Sequence, residues 1–236
     1  MENKFSRAFG ENGRLRDSME WREKILDARQ RTLGSEHPDT LFSMNELAAS
    51  YSDLGRHQEA MDLLEKTLEA NQRTLSGEHP ETLFSMNSLA KSYRDLGRYQ
   101  EALDLQEKTL EARRRTLGSE HPNTLVSMNN LANSYSRLGR NQEAVKLWDK
   151  TLEASQRTLG SEHPVTLYAM YNVACGYSKL GRYQEAIELS RKVLGGRKKI
   201  LGSEHPDTLD AISALEYHNN ELNKVRILSS VLTAVY

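Results

Sequence analysis

Much that would tie this chain to a chemistry is missing. It holds one cysteine, Cys175. One thiol excludes an internal disulfide framework and points to a reducing, cytoplasmic setting. No apolar run approaches the roughly 20 residues that span a bilayer, so no membrane partner is expected. Lysine plus arginine number 32 against 33 aspartate plus glutamate, a net charge of −1. A nucleic-acid binder would need a clear basic excess, which is absent. The opening MENKFSRAFGENGRLR lacks the apolar centre of a signal peptide. There is no phosphate loop, dinucleotide fingerprint or nucleophile elbow. Neither an enzyme nor a cofactor is therefore expected. Proline is scarce too, with five in all, and each follows a histidine.

Those five His-Pro steps belong to one motif. It reads LGSEHPDT at Leu33, LSGEHPET at Leu75, LGSEHPNT at Leu117, LGSEHPVT at Leu159 and LGSEHPDT at Leu201, always 42 residues apart. A fixed period of this size means a repeat architecture. In the second full unit, Leu83, Met86, Ala90 and Tyr93 step by three, four and three, which makes one helical face. Pro80 suits the first helical position, where its missing N–H costs nothing. Glu81 complements the helix dipole. This first helix is expected over about Pro80–Leu96, ended by Gly97, and a second over about Tyr99–Leu117, ended by Gly118. Ala90 and Ala102 sit twelve apart across the turn. With Ala48 and Ala60, Ala132 and Ala144, and Ala174 and Ala186, they mark the close approach of the two helices.

The expected organisation is a single array over 1–236. It comprises a partial N-terminal repeat (1–37), four full 42-residue repeats (38–205) and a degenerate capping repeat (206–236). At the front, Phe9 falls on the site of Tyr51 and Gly13 on that of Gly55. The opening thus reads as the back of a first helix, a turn at Gly13, then a second helix over 14–33. A start in mid-unit suits a fragment of a longer array, or else a natural half-repeat cap. At the back, Glu216 stands at the alanine site, Asn219 at the tyrosine site and Asn223 at the turn glycine, which asparagine can replace because it tolerates a left-handed backbone. A shortened second helix is expected over Val225–Tyr236. Terminal repeats of solenoids are commonly atypical.

Met86, Leu89, Ala90, Tyr93, Gly97, Tyr99 and Ala102 follow the order of the tetratricopeptide repeat, which this chain resembles. Met86 departs from the tryptophan of that pattern and Thr109 from a usual alanine. The usual unit is about 34 residues, so this is a long form. With NNLANSY (Asn129–Tyr135) and LGSEHP, the resemblance is closest to the kinesin light chain and nephrocystin type, over about residues 14–222. It implies an all-α fold, a right-handed α-solenoid of stacked antiparallel helical hairpins.

The resemblance also implies that first helices line a concave face. The residues not needed for packing are then candidates for a peptide groove: Asn45, Phe84, Asn87, Lys91, Arg94, Asn129, Asn133, Arg137, Tyr171 and Lys179. Asn45, Asn87 and Asn129 form a ladder. They could bond the backbone of an extended peptide, since the amide both donates and accepts, or bond between neighbouring helices. Lys91, Arg94, Arg137 and Lys179 favour an acidic segment, offset in part by Asp53 and Asp95. Phe42, Phe84 and Tyr168 share one site and could hold an apolar anchor or pack on the next helix. The histidines recur too far apart for metal binding. Two helices per unit at about 8–10 Å each separate successive copies by about 20 Å, whereas zinc ligands converge to about 2 Å. No metal is expected.

Two functions follow. The first is a non-enzymatic scaffold that binds a peptide segment of a partner protein in its groove. The second is a structural, sensor or oligomerisation arm of a larger signalling protein, such as the nucleotide-binding switch ATPases whose arms carry similar long repeats. That arm would make its contacts through the ends or the convex face, including self-association through exposed solenoid ends.

Overall fold

The computed structural model describes the backbone of residues 2–235 and the side chains of residues 14–230. Every element among the described residues is an α-helix. The chain divides into two compact units, Met1–Thr116 and Leu117–Tyr236.

The first unit holds α1 (Glu2–Leu33), α2 (Pro38–Asp53), α3 (His57–Thr74), α4 (Pro80–Asp95) and α5 (Tyr99–Leu117). Here α1 packs on α2, α2 on α3 and α3 on α4, with the first helices α2 and α4 also side by side. Leu26, Leu41, Met44, Leu47 and Ala70 make one buried cluster. Met61, Leu64, Leu83, Met86 and Leu89 contribute to the next, around Ala48 and Ala60. The second unit holds α6 (Pro122–Arg137), α7 (Asn141–Leu159), α8 (Pro164–Lys179), α9 (Tyr183–Leu201) and α10 (Pro206–Val235). Each helix packs on the next, and α8 lies beside both α6 and α10. Ala132, Ala144, Val145, Trp148 and Val173 form one core, and Leu167, Met170, Val193 and Ala211 the other. A fully buried large apolar side chain contributes about 1.5–3 kcal/mol, so these faces hold neighbouring helices together.

The His-Pro step starts each first helix. The side chains of His37, His79, His121 and His163 are N-caps, each accepting from the backbone N–H two residues on through Nδ1 at 3.2 Å. Proline takes the first helical position behind them, so one dipeptide satisfies an orphan donor and removes another. Gly97 has φ 76°, the left-handed region that a residue without Cβ enters freely. Arg98 N then donates to Tyr93 O at 2.8 Å, closing the turn. The Arg98 guanidinium lies 4.4 Å over the Tyr93 ring and pairs with Glu101. Tyr93 in turn donates to Glu65 Oε1 at 2.8 Å. Burial, then Glu65, pushes the Tyr93 phenol up to about 12. Arg56, Arg140 and Arg182 repeat this clasp over Tyr51, Tyr135 and Tyr177.

Two expected turns do not form. Helix α1 runs through Gly13 without a break. The packing sites Met44, Leu47 and Ala48 correspond there to Glu2, Phe5 and Ser6, too little apolar surface for a first helix to fold back. At the other end α10 is one helix of 30 residues that passes straight through Asn223, with no non-glycine residue at positive φ. A hairpin there would need small residues at the close approach, and the sequence offers Glu216 and Leu228. The tyrosine and arginine of the clasp are Asn219 and Lys224. Every contact that closes the earlier turns is missing, and the helix continues.

Candidate functional site

Each unit presents the outward-facing residues of its first helices. On α2 and α4 of the first unit, Phe42 and Phe84 are exposed, at 52% and 45%. Lys91 and Asp95 are exposed as well, and Asn87 and Arg94 are half-buried. Phe84, Asn87, Lys91 and Arg94 therefore lie along one helix with part or all of each side chain reachable. Asn45 is different. It is buried and donates through Nδ2 to Ser85 Oγ at 3.3 Å, and Asn71 of α3 reaches the same hydroxyl at 3.0 Å. This asparagine ties two first helices and a second helix together.

In the second unit, α6 and α8 bring several candidates together. Asn133 Nδ2 donates to the Tyr168 hydroxyl at 3.1 Å and Lys179 Nζ to Ser136 Oγ at 2.6 Å. Arg137 is exposed. Tyr171 and Lys179 share a cavity of about 410 Å³ with Cys175, Asp210 and Tyr217. The Arg197 guanidinium stands 4.8 Å from the Tyr171 ring. Burial, followed by the charges of Cys175 and Asp210, pushes the Tyr171 phenol up to about 12. Burial likewise raises the Cys175 thiol, so at neutral pH the two are an uncharged, hydrogen-bonding pair. Asn129 is wholly buried, and neither its Nδ2 nor its Oδ1 meets a partner among the described residues. The three asparagines thus do not make one accessible ladder.

Asp210, Tyr217 and His218 belong to this surface, yet sequence reasoning did not single them out. The period could have found them. Asp210 lies one period after Tyr168 and Tyr217 one period after Cys175. Reading the last unit as a cap hides that signal. Chemically, the cavity offers one cation, one anion, two phenols and a thiol, a set suited to holding polar and aromatic side chains. Among the described residues no cluster of histidine, cysteine, aspartate and glutamate could hold a metal ion, and no helix is long and apolar enough to cross a membrane.

The tetratricopeptide repeat model matches the sequence over residues 3–73, 47–114, 82–147 and 129–199. Two crystal structures of a Podosopora anserina putative kinesin light chain with nearly identical tetratricopeptide-like repeats are similar. They share 38% and 37% identity, with TM-scores of 0.68 and 0.66. The matches cover 83% and 84% of this chain and 92% and 94% of those chains. BtubC (BKLC) from P. vanneervenii shares the fold at 17% identity and a TM-score of 0.67, over 93% of this chain and 92% of that one. No curated protein matches significantly. The capped hairpins, the 42-residue period and these matches agree: the chain belongs to the tetratricopeptide repeat family, in its kinesin light chain-like form.

Proposed function

We propose that this protein is a non-enzymatic cytoplasmic scaffold that binds an extended, acidic segment of a partner protein on the exposed face of its first helices. Repeats of this family mediate protein–protein interaction, and this chain has the partner-facing residues to do so. In the first unit the contacts are Phe84, Asn87, Lys91 and Arg94. In the second they are Asn133, Arg137, Tyr171 and Lys179. Asn45 sets the spacing of the helices behind them. The observation that carries the reading is the second unit's cavity. Lys179 and the phenols of Tyr171 and Tyr217 converge there, and Lys179 reaches Ser136, the residue before the exposed Arg137. A carboxylate can pair with the cations while a neighbouring aromatic or aliphatic side chain rests on the phenol rings. Buried aromatic and arginine contacts of this kind dominate binding energy.

The test is binding of the intact chain to an array of acidic, basic and apolar peptides, beside an R137E/K179E variant and a Y217A variant. The expected result is acidic hits that weaken at least tenfold in the charge variant and lose apolar selectivity in Y217A. Hits indifferent to both variants would remove this reading.

A second reading, the structural arm that self-associates through its ends, is favoured by a separate observation. Trp21 and Ile25 on α1 and Leu209 on α10 leave large apolar surface open, at 66%, 44% and 47% exposure.

A further inference from the structure

The open apolar side chains on α1 and α10 are not scattered. Ile25 on α1 and Leu209 on α10 occupy sites that every complete hairpin of this chain covers. The site of Ile25 is held in the other second helices by Thr67, Thr109, Thr151 and Val193, all at most 1% exposed. Ser18 is exposed where Ala60, Ala102, Ala144 and Ala186 are fully buried. On α10 the same comparison holds for a first helix. Leu209 is open where Leu41, Leu83, Leu125 and Leu167 are at most 5% exposed, and Glu216 is open where the matching alanines are buried. Helix α1 is thus a second helix uncovered on the side where a first helix belongs. Helix α10 is a first helix uncovered on the side where a second helix belongs. The lengths also match, 32 residues for α1 and 30 for α10.

We propose that α10 of one copy seats against α1 of a second copy, completing a hairpin between chains. This rests on the second reading above. The receiving place is a cavity of about 190 Å³ between α1 and α2, lined by Arg22, Ile25, Arg29, Phe42, Ser43 and Glu46. One period later in the same unit, the corresponding place is filled by a first helix. There α2 delivers Asn45 to Ser85, which Asn71 also contacts. Ser43 and Arg29 are the one-period-earlier counterparts of Ser85 and Asn71. The intermolecular contact therefore continues the interface that already stacks the repeats. The alanine pairs twelve apart set its antiparallel register, which places Glu216 opposite Ser18. Arg22 stands one turn further along α1, at a site that is leucine in α3. It holds Glu46 at 3.1 Å with its side chain 34% exposed, and is the cation that Glu216 meets. The two residues that break the apolar pattern thus carry opposite charge. Because the two faces differ, the contact is head-to-tail, and each copy keeps a free face for the next.

A complementation experiment on the full chain decides this. In one variant the α1 face is blocked by W21D/I25D, in the other the α10 face by L209D/L215D. Light scattering over a concentration series should show the parent growing beyond a dimer and each variant alone remaining monomeric. An equal mixture should stop at twice the 26.9 kDa of one chain, since each variant keeps one of the two faces. Circular dichroism and urea midpoints confirm that both variants fold. In a C175S background, S18C mixed with E216C should form a disulfide-linked dimer, whereas D27C with E216C should not. A parent that is monomeric at every concentration overturns self-association altogether. A parent that associates while the mixture stays monomeric, or an E216C chain that crosslinks equally to D27C, overturns this mode alone. A disulfide formed within a single S18C/E216C chain overturns the second copy as occupant.

Discussion

A buried amide without a partner is a specific weakness, because the desolvation of its polar atoms is not offset. Asn129 is in that position, and the period explains how. Two periods earlier, Asn45 on α2 meets the hydroxyl of Ser85, forty residues on. Forty residues on from Asn129 the same site is Ala169, fully buried on α8. Serine fits this site at positions 43 and 85 with at most 4% exposure. Ala169→Ser should therefore return the missing hydroxyl and stabilise the second unit by about 0.5–1.5 kcal/mol. A higher urea midpoint with an unchanged slope is the expected reading, and a lower midpoint would mean the hydroxyl is not reached. The sequence displayed the asparagine ladder and left two roles open for it. It could not choose between them, because the choice depends on which helix lies forty residues away in space. The histidine caps were nearer to legible. His-Pro at a helix start reads as turn geometry, while the Nδ1 acceptor appears only with the side chain placed.

At the scale of helices, size is traded between facing sites. Residue 64 on α3 and residue 92 on α4 are leucine and serine; the matching pair between α7 and α8 is Trp148 and Gly176; between α9 and α10 it is Ser190 and His218. A Cβ built on Gly176 would stand 2.6 Å from Val145 Cγ2 and 2.9 Å from the Trp148 ring. Gly176→Ser should therefore overpack α8 against α7 and cost about 1–3 kcal/mol. Trp148→Leu in the same chain should recover much of that loss, since leucine and serine already coexist at the matching pair of the first unit. Additive losses in the double variant would refute the pairing. The third pair adds a pH dependence. His218 is buried, with Nδ1 3.0 Å from Ser190 Oγ and the edge of Tyr217 beside it. Burial holds its imidazole below the ordinary value of 6.5. A lowered histidine means the unfolded chain takes up the proton first. Its contribution is thus complete above about pH 6.5 and is lost as the pH falls towards the folded value. Lys179 and Asp210 line the same cavity, so the charged imidazolium gains no isolated acidic partner. Urea midpoints at pH 7 and pH 5 should differ more for the parent than for His218→Gln, and equal differences would reject the assignment. Periodicity made helix positions legible to within a residue or two. It misled at Gly13 and Asn223, where the turn residue was present or replaceable but the contacts that close a turn were not.

For the molecule as a whole, near-identical units imply that stability is a sum over neighbours, with no single centre holding the rest. That can be tested by removing one period. Deleting residues 81–122 joins Pro80 to Asn123 and leaves every His-Pro cap and turn motif intact in the shorter chain. Helix α3 would then meet the residues of α6 in place of those of α4. Leu125, Met128, Leu131 and Ala132 stand one period after Leu83, Met86, Leu89 and Ala90, so the apolar face presented to α3 keeps its shape. Ser127 replaces Ser85, and both Asn45 and Asn71 keep a hydroxyl to bond. The clasp survives as well, because Arg140 lies over Tyr135 at 4.3 Å as Arg98 does over Tyr93 at 4.4 Å. The shortened protein should retain the parent's helicity per residue and a cooperative urea transition, with stability reduced only by the lost unit and its one interface. The α8 residues proposed to contact a peptide remain in it, whereas Lys91 and Arg94 are gone. Affinity for an acidic segment should therefore fall without vanishing. Collapse of helicity would show that the units depend on something beyond their neighbours, and would count against a solenoid built by nearest-neighbour stacking.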